Sequence, residues 1–287
     1  MKKYILTAIS ALLLSSCEKE FTPFTTPYVN KIVINSLFEQ NSPMSLNISN
    51  SVNVYGNATP EFRDNATIKI MVNDKLVQTI NGGGVQGNYL SSVMPMPGDR
   101  YKVMVSIPGF PDAEAENTLP ASVKITNWTY VDSTIVRRNQ NTGSDDFFGD
   151  FTFTIDDPPA SNKYLLKFYF YDDVSSSYIA MGNVESNDEA LNDNLATSLG
   201  NGEWLFSDNL FNGRRKTFTL QIPCGFYQTH YNYLLQLYNL SEDAYFYEYS
   251  QQNNGGGMGN SGAQIYSNVK NGVGIFAGRS LEADTIK

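Results

Sequence analysis

Short runs of alternating apolar and polar residues recur along most of the chain. Lys31-Ile32-Val33-Ile34-Asn35-Ser36-Leu37 alternates, Ser45-Leu46-Asn47-Ile48-Ser49 does so strictly, and Ala66–Val72 and Tyr101–Ile107 follow. A period of two turns one set of side chains to a core and the other to water, which is the pattern of a half-buried strand. Turn residues separate the runs. Asn73-Asp74-Lys75 predicts a hairpin turn into a strand over Leu76–Ile80. Pro95-Met96-Pro97-Gly98-Asp99 predicts a tight turn, because proline presets φ and glycine relieves the bend. Leu119-Pro120-Ala121 closes the segment and marks an expected domain boundary.

Beyond it, Val123–Tyr130, Phe151–Ile155, Tyr164–Tyr171 and Lys216–Ile222 read as strands. Residues 137–150 read as a polar loop. Residues 182–203, rich in Asn, Asp and Gly, read as an excursion outside the core. Tyr231–Leu240 fits either strand or helix. Ser241–Gln252 predicts a helix: Ser241 can cap it, Glu242 and Asp243 suit its first turn, and Tyr245 and Tyr249 share a face. Ile265–Val269 and Val273–Gly278 flank Asn271-Gly272, a hairpin signal, so a final hairpin is expected. The fold class predicted is mainly β, with two β-sandwich-like domains. The first, 29–120, would be immunoglobulin- or transthyretin-like. The second, 121–287, would carry one short helix.

The N-terminus follows a different pattern. Lys2 and Lys3 precede an apolar run from Ile5 to Leu14, and small residues follow. That is a secretory signal over 1–16, and its apolar run is shorter than the roughly 20 residues a membrane span needs. Leu14-Ser15-Ser16-Cys17 resembles the bacterial lipobox. The resemblance implies lipidation of Cys17, cleavage before it and acylation of the new amino group. Several acyl chains anchor stably where one anchors only marginally. Residues 17–28, broken by Pro27, form a tether. Glu18-Lys19-Glu20 resembles surface-export signals of some Gram-negative lipoproteins. The outer membrane, with the protein lipid-anchored and surface-exposed, is the expected location.

Composition narrows the chemistry. The chain of 287 residues has a formal charge of −9 and no basic cluster, so nucleic acid is not an expected partner. Its two cysteines are Cys17 and Cys224, which leaves no internal disulfide once Cys17 is lipidated. A single histidine, His230, argues against a His-rich zinc site. No cofactor and no metal are expected.

Several segments together resemble the domain-of-unknown-function family 4249, outer-membrane lipoproteins of Gram-negative bacteria. They are Ser16-Cys17-Glu18-Lys19-Glu20, Gly87-Asn88-Tyr89, Pro97-Gly98-Asp99-Arg100-Tyr101, and Pro158 through the aromatic strand. The most specific is Tyr266-Ser267-Asn268-Val269-Lys270-Asn271-Gly272-Val273-Gly274-Ile275-Phe276. The resemblance implies a lipoprotein often encoded beside TonB-dependent outer-membrane receptors, with no assigned activity and no defined catalytic residues.

Candidate chemistry is sparse. The acid pairs Asp145-Asp146, Asp156-Asp157 and Asp172-Asp173 carry oxygen donors suited to calcium, but none has EF-hand spacing. Cys224 and His230 lie close in sequence without a third group for nucleophilic catalysis. Asn81-Gly82-Gly83-Gly84 lacks the Gly-Lys-Ser/Thr of a phosphate loop. Trp128 is expected in the core, whereas Trp204, beside the polar excursion, is the candidate ligand contact. Asp132-Ser133-Thr134 and Asp284-Thr285-Ile286 match a bacterial O-glycosylation acceptor, making Ser133 and Thr285 candidate sites. No nucleophile–base set emerges, so an enzyme is not expected. The expected function is a non-catalytic accessory of a TonB-dependent uptake system. The alternatives are a fimbrial or adhesin-like subunit and a surface glycan-binding protein.

Overall fold

The computed structural model describes residues 28–53, 59–138, 143–192, 197–200, 202–224, 232–255 and 265–286. The chain divides into Met1–Asn30 and one compact unit, Lys31–Lys287. Cys17, the signal segment and His230 lie outside the described residues.

Among the described residues of the compact unit, the first strands are β1 (Ile32–Phe38), β2 (Ser45–Asn50), β3 (Thr67–Val72), β4 (Lys75–Asn81) and β5 (Asn88–Leu90). Then come β6 (Arg100–Ser106), β7 (Ala113–Thr118), β8 (Ile125–Arg138), β9 (Asp145–Asp156), β10 (Lys163–Asp172) and β11 (Ser177–Ala180). The remaining elements are α1 (Glu189–Asn192), β12 (Thr197–Gly200), β13 (Glu203–Ser207), β14 (Arg215–Pro223), β15 (Tyr233–Leu240), α2 (Glu242–Gly255) and β16 (Gly272–Ile286). The protein is mainly β, as its alternation predicts.

One long sheet runs in the order β12-β13-β10-β15-β16-β1-β2-β5, with β11 also on β10. Two smaller sheets, β4-β3-β6-β7 and β14-β9-β8, complete the layers. Each smaller sheet shares a hydrophobic core with one half of the long sheet. The first core joins Ile32, Ile34, Leu46 and Ile48 to Ile68, Ile70, Val103 and Val105. The second joins Leu166, Phe168, Phe206 and Leu235 to Phe151, Phe153, Phe218 and Leu220. Aligned sheets burying alternate residues in this way make a sandwich. Each such side chain contributes about 1.5–3 kcal/mol when fully buried.

The chain on either side of Leu119-Pro120-Ala121 shares the long sheet, and the first core also takes Val269 and Phe276 from beyond that point. Strand β16 belongs to both halves. From Gly272 to Gly278 it pairs in parallel with β1, and from Arg279 to Ile286 it pairs antiparallel with β15. The expected C-terminal hairpin is therefore corrected. Asn271, with φ of 56°, turns the chain, but it delivers β16 to the N-terminal strand rather than back onto residues 265–269. Two glycines make the close approach possible. A Cβ on Gly272 would lie 2.7 Å from the Ile32 carbonyl oxygen. One on Gly274, with φ of +111°, would lie 2.2 Å from that of Ile34.

Other expectations meet their local reasons. Asn73 and Asp74 both take positive φ, which forms the β3–β4 hairpin. Ser241 caps α2, its Oγ accepting the Ala244 N–H at 3.3 Å. Of the stretch that fitted either strand or helix, Tyr233–Leu240 forms strand β15. The polar loop over 137–150 is shorter than expected, since β8 and β9 extend to Arg138 and from Asp145. Residues 182–203 are not wholly outside the core: Ala190 and Leu191 of α1 are buried, and the stretch also holds β12 and the first residue of β13.

The start of α2 is clasped to the sheets. Asp243 accepts hydrogen bonds from Asn117 Nδ2 at 2.6 Å, Asn268 Nδ2 at 2.9 Å and the Tyr266 hydroxyl. Asn268 also holds both backbone groups of Phe276, and Asn117 Oδ1 accepts the Gly278 N–H. Burial, and next the bond to Asp243, push the Tyr266 phenol up to about 12. Asp243→Ala removes the acceptor from three part-buried donors. A loss of roughly 2–3 kcal/mol is expected from leaving such donors unpaired. Urea unfolding with an unchanged midpoint would contradict the clasp.

Candidate binding face beside helix α2

Register places a polar and aromatic face on the outside of the long sheet. Lys167 of β10 stands opposite Glu203 of β13 and Gln236 of β15. Two residues earlier, Leu165 stands opposite Leu205 and Tyr238. Two residues later, Tyr169 stands opposite Leu234 and Ala180, and Tyr171 stands opposite Tyr178 of β11. The strand period of two puts all of these on one face.

Helix α2 covers the apolar part of that face and brings Glu248 to its charged part. Ala244 and Tyr245 pack with Leu165, Leu205, Tyr238, Ile275 and Ala277. Beyond the helix, Lys167 Nζ pairs with Glu203 Oε1 at 3.0 Å, each side chain about one quarter exposed. Arg279 pairs with Glu39 at 2.7 Å and lays its guanidinium 4.8 Å from the Tyr238 ring centre. The rings of Tyr171 and Tyr178 meet edge to face at 5.3 Å, and with Tyr169 they are half-buried.

Glu248, on α2, is the unusual group. It is half-buried, and burial raises its carboxyl above the ordinary range. Arg279 and Lys167 pull it down and Glu203 pushes it up, so these charges face it. Both cations are already engaged with Glu39 and Glu203. Burial likewise raises Tyr169, with Glu203 adding to the shift. A desolvated carboxylate beside spoken-for charges retains acceptor capacity for a ligand.

A cleft of about 410 Å³ opens at the start of α2 and includes Asn117, Asn162, Asn239 and Asp243. The amide nitrogens of Asn162 and Asn239 are committed to the fold, while Asn239 Oδ1 is buried without a hydrogen-bond partner. Asn239 Nδ2 donates to the Ala121 carbonyl at 2.9 Å, and Asn162 donates to Ala160 and Asp208. The α2 face, which presents half-buried rings beside a partly desolvated carboxylate, is the better candidate.

The residues singled out in the sequence fall elsewhere. Trp204 is 3% exposed and packs in the C-terminal core, because its place on β13 turns it inward while Leu205 turns out. It is not a surface contact, and that expectation is corrected. Trp128 packs against the same core, half-buried. Ser133 and Thr285 are both exposed, Ser133 at an irregularity in β8 and Thr285 on β16. The acid pairs serve local structure. Asp157 accepts from the Tyr164 hydroxyl and from Gly213 N–H at 2.7 Å, Asp145 pairs with Arg138, and Asp172 accepts Ser175 N–H. No group of three or more metal-ligating side chains occurs among the described residues. Cys224 is half-buried with Ser133 at 3.8 Å, and burial raises its thiol. Sequence reasoning missed Lys167, Glu203 and Glu248. The one available signal was Lys167, a charge set inside the apolar run Tyr164–Tyr171.

The profile of a family described as a domain of unknown function, DUF4249, matches residues 18–282. The chain belongs to this family. The DUF4249 match spans both cores and the whole α2 face, so both sandwiches are part of the family unit. Tyr266, Asn268, Gly272 and Gly274, all within the matched residues, clasp α2 and seat β16. Among solved structures, the chain is similar to the collagen-binding domain of the Erysipelothrix rhusiopathiae surface protein RspB. The identity is 10% and the TM-score 0.24, over 88% of this chain and 96% of that one. No curated protein matches.

Proposed function

We propose that this DUF4249 protein is a lipid-anchored, non-catalytic lipoprotein of the outer membrane that serves as an accessory to a TonB-dependent uptake system. The observation that carries the proposal is the Leu14-Ser15-Ser16-Cys17 sequence, placed before a compact β unit that begins at Lys31. An acylated Cys17 would hold that unit on the membrane through a tether. The family resemblance adds the receptor as the neighbour. The polar and aromatic face beside α2 supports a binding role, since it offers acceptors, donors and rings but pairs no nucleophile with a base. A fimbrial reading has less support: a donated strand must be free to leave, and β16 is paired along its length with β1 and β15 of its own chain.

Extraction of native membranes in mild detergent tests the proposal. The protein should leave the outer-membrane fraction in company with a TonB-dependent receptor. Recovery without any transporter, from gently solubilised membranes, counts against it.

A further inference from the structure

We infer that the sheet face beside α2 binds a neutral saccharide, with the half-buried tyrosines Tyr169, Tyr171 and Tyr178 under the sugar rings and Glu248, Glu203 and Lys167 at their hydroxyls. The inference deepens the accessory-lipoprotein reading by naming the ligand class of its face.

Three features lead to this class. The tyrosines belong to adjoining strands, Tyr169 and Tyr171 on β10 and Tyr178 directly across on β11. Their rings are half-exposed rather than sealed in a core, whereas Tyr238 on the same face is 8% exposed and lies against Arg279. Aromatic faces of this kind take the C–H side of a pyranose at small entropic cost. Second, the charges next to them are of mixed sign. Lys167 and Arg279 face Glu203, Glu39 and Glu248, so a strongly charged ligand of either sign meets a like charge within the site. A neutral ligand rich in hydroxyls meets none. Third, Glu248 has acceptor capacity that its own fold does not use. A carboxylate accepts from two adjacent hydroxyls at once, and in a partly desolvated position such bonds are stronger than in water.

Glu248 also fixes the sign of the pH response. Its carboxyl titrates above the ordinary range, chiefly through burial, with Arg279 and Lys167 opposing and Glu203 reinforcing the shift. Protonation removes the charge-assisted acceptor. Binding should therefore be strongest above the raised value and weaken as pH falls through it.

The test is affinity electrophoresis of the full-length lipoprotein in detergent through gels containing a panel of neutral polysaccharides: glucans, xylan and mannan. Polygalacturonate and heparin gels serve as charged counterparts. At least one neutral polymer should retard the protein. Tyr169→Ala and Glu248→Ala should each weaken that retardation about tenfold, the change expected for losing one ring contact or one charge-assisted bond. Glu248→Gln keeps the shape of the side chain and should flatten the pH dependence. Melting curves of the three variants separate loss of binding from loss of fold. No retardation by any neutral polymer overturns the inference. So does retardation by the charged polymers alone, or full binding by correctly folded Tyr169→Ala and Glu248→Ala proteins. Because the purified protein is read without a receptor, failure here leaves receptor association unaffected, and loss of receptor association leaves glycan retardation unaffected.

Discussion

Gly274→Ala should destabilise the whole molecule by roughly 2–5 kcal/mol, the combined cost of a strained positive φ and an overpacked contact. The expectation follows from where the glycine sits. Its φ is +111°, outside the region ordinary side chains adopt, and its added Cβ would lie 2.2 Å from the Ile34 carbonyl oxygen and 2.9 Å from Asn35 Oδ1. The first neighbour is backbone of β1 and cannot turn aside. The strand must separate from β1 or the chain must distort there. Either outcome spreads, because the same strand continues from Arg279 into pairing with β15 and so holds the second sandwich as well. Thermal melting should show a midpoint lowered by about 5–15 °C in a single transition. An unshifted midpoint would mean that β16 does not depend on this approach. Two well-separated transitions in the unmutated protein would mean that the sandwiches melt independently despite sharing a strand.

The second large effect concerns attachment. Cys17→Ala should abolish incorporation of a palmitate analogue and move the protein out of the outer-membrane fraction. In the proposed lipoprotein the Cys17 thiol would be the acyl acceptor, a role no neighbouring residue in Ser15-Ser16-Cys17-Glu18 could take over. Several acyl chains would then be lost together, which would convert stable anchoring to none. Persistent labelling of Cys17→Ala would place the lipid elsewhere. Cys224 is the other thiol of the chain, half-buried beside Ser133, and is the control position to mutate in parallel.

Much of the fold was legible because its signals are local. The β6 run alternates cleanly and burial follows it residue by residue, and in β1 and β2 the apolar Ile32, Ile34, Leu46 and Ile48 are buried as the alternation predicts. Asn73-Asp74 and Ser241 announce a turn and a helix cap within a few residues of where they act. Non-local pairing leaves no such trace. Asn271-Gly272 has the local form of a hairpin turn, yet the partner of β16 is β1, at the other end of the compact unit. Strand β13 was obscured for another reason. It is buried on both faces, Trp204 and Phe206 in the sandwich core and Leu205 under α2, so it shows no alternation to mark it as a strand. Its place after a run of Asn, Asp and Gly made Trp204 look exposed.

The binding face was almost invisible for the same physical reason. Lys167, Glu203 and Glu248 come from two strands and a helix, and only sheet register and the docking of α2 bring their charges together. By contrast, the family-like stretch Tyr266–Phe276 drew attention in the sequence but proves to hold the architecture. Its tyrosine and asparagine clasp Asp243, and its glycines admit β1.

The proposed role places the protein at the membrane beside a transporter. The most direct test is chemical crosslinking on intact cells, followed by recovery of the tagged protein and identification of its partners, with Cys17→Ala cells in parallel. A TonB-dependent receptor should be captured by the native protein and lost, or reduced at least about tenfold, when the anchor is removed, since tethering raises the effective concentration of one partner at the other. Capture of no outer-membrane receptor by the anchored protein would contradict the account.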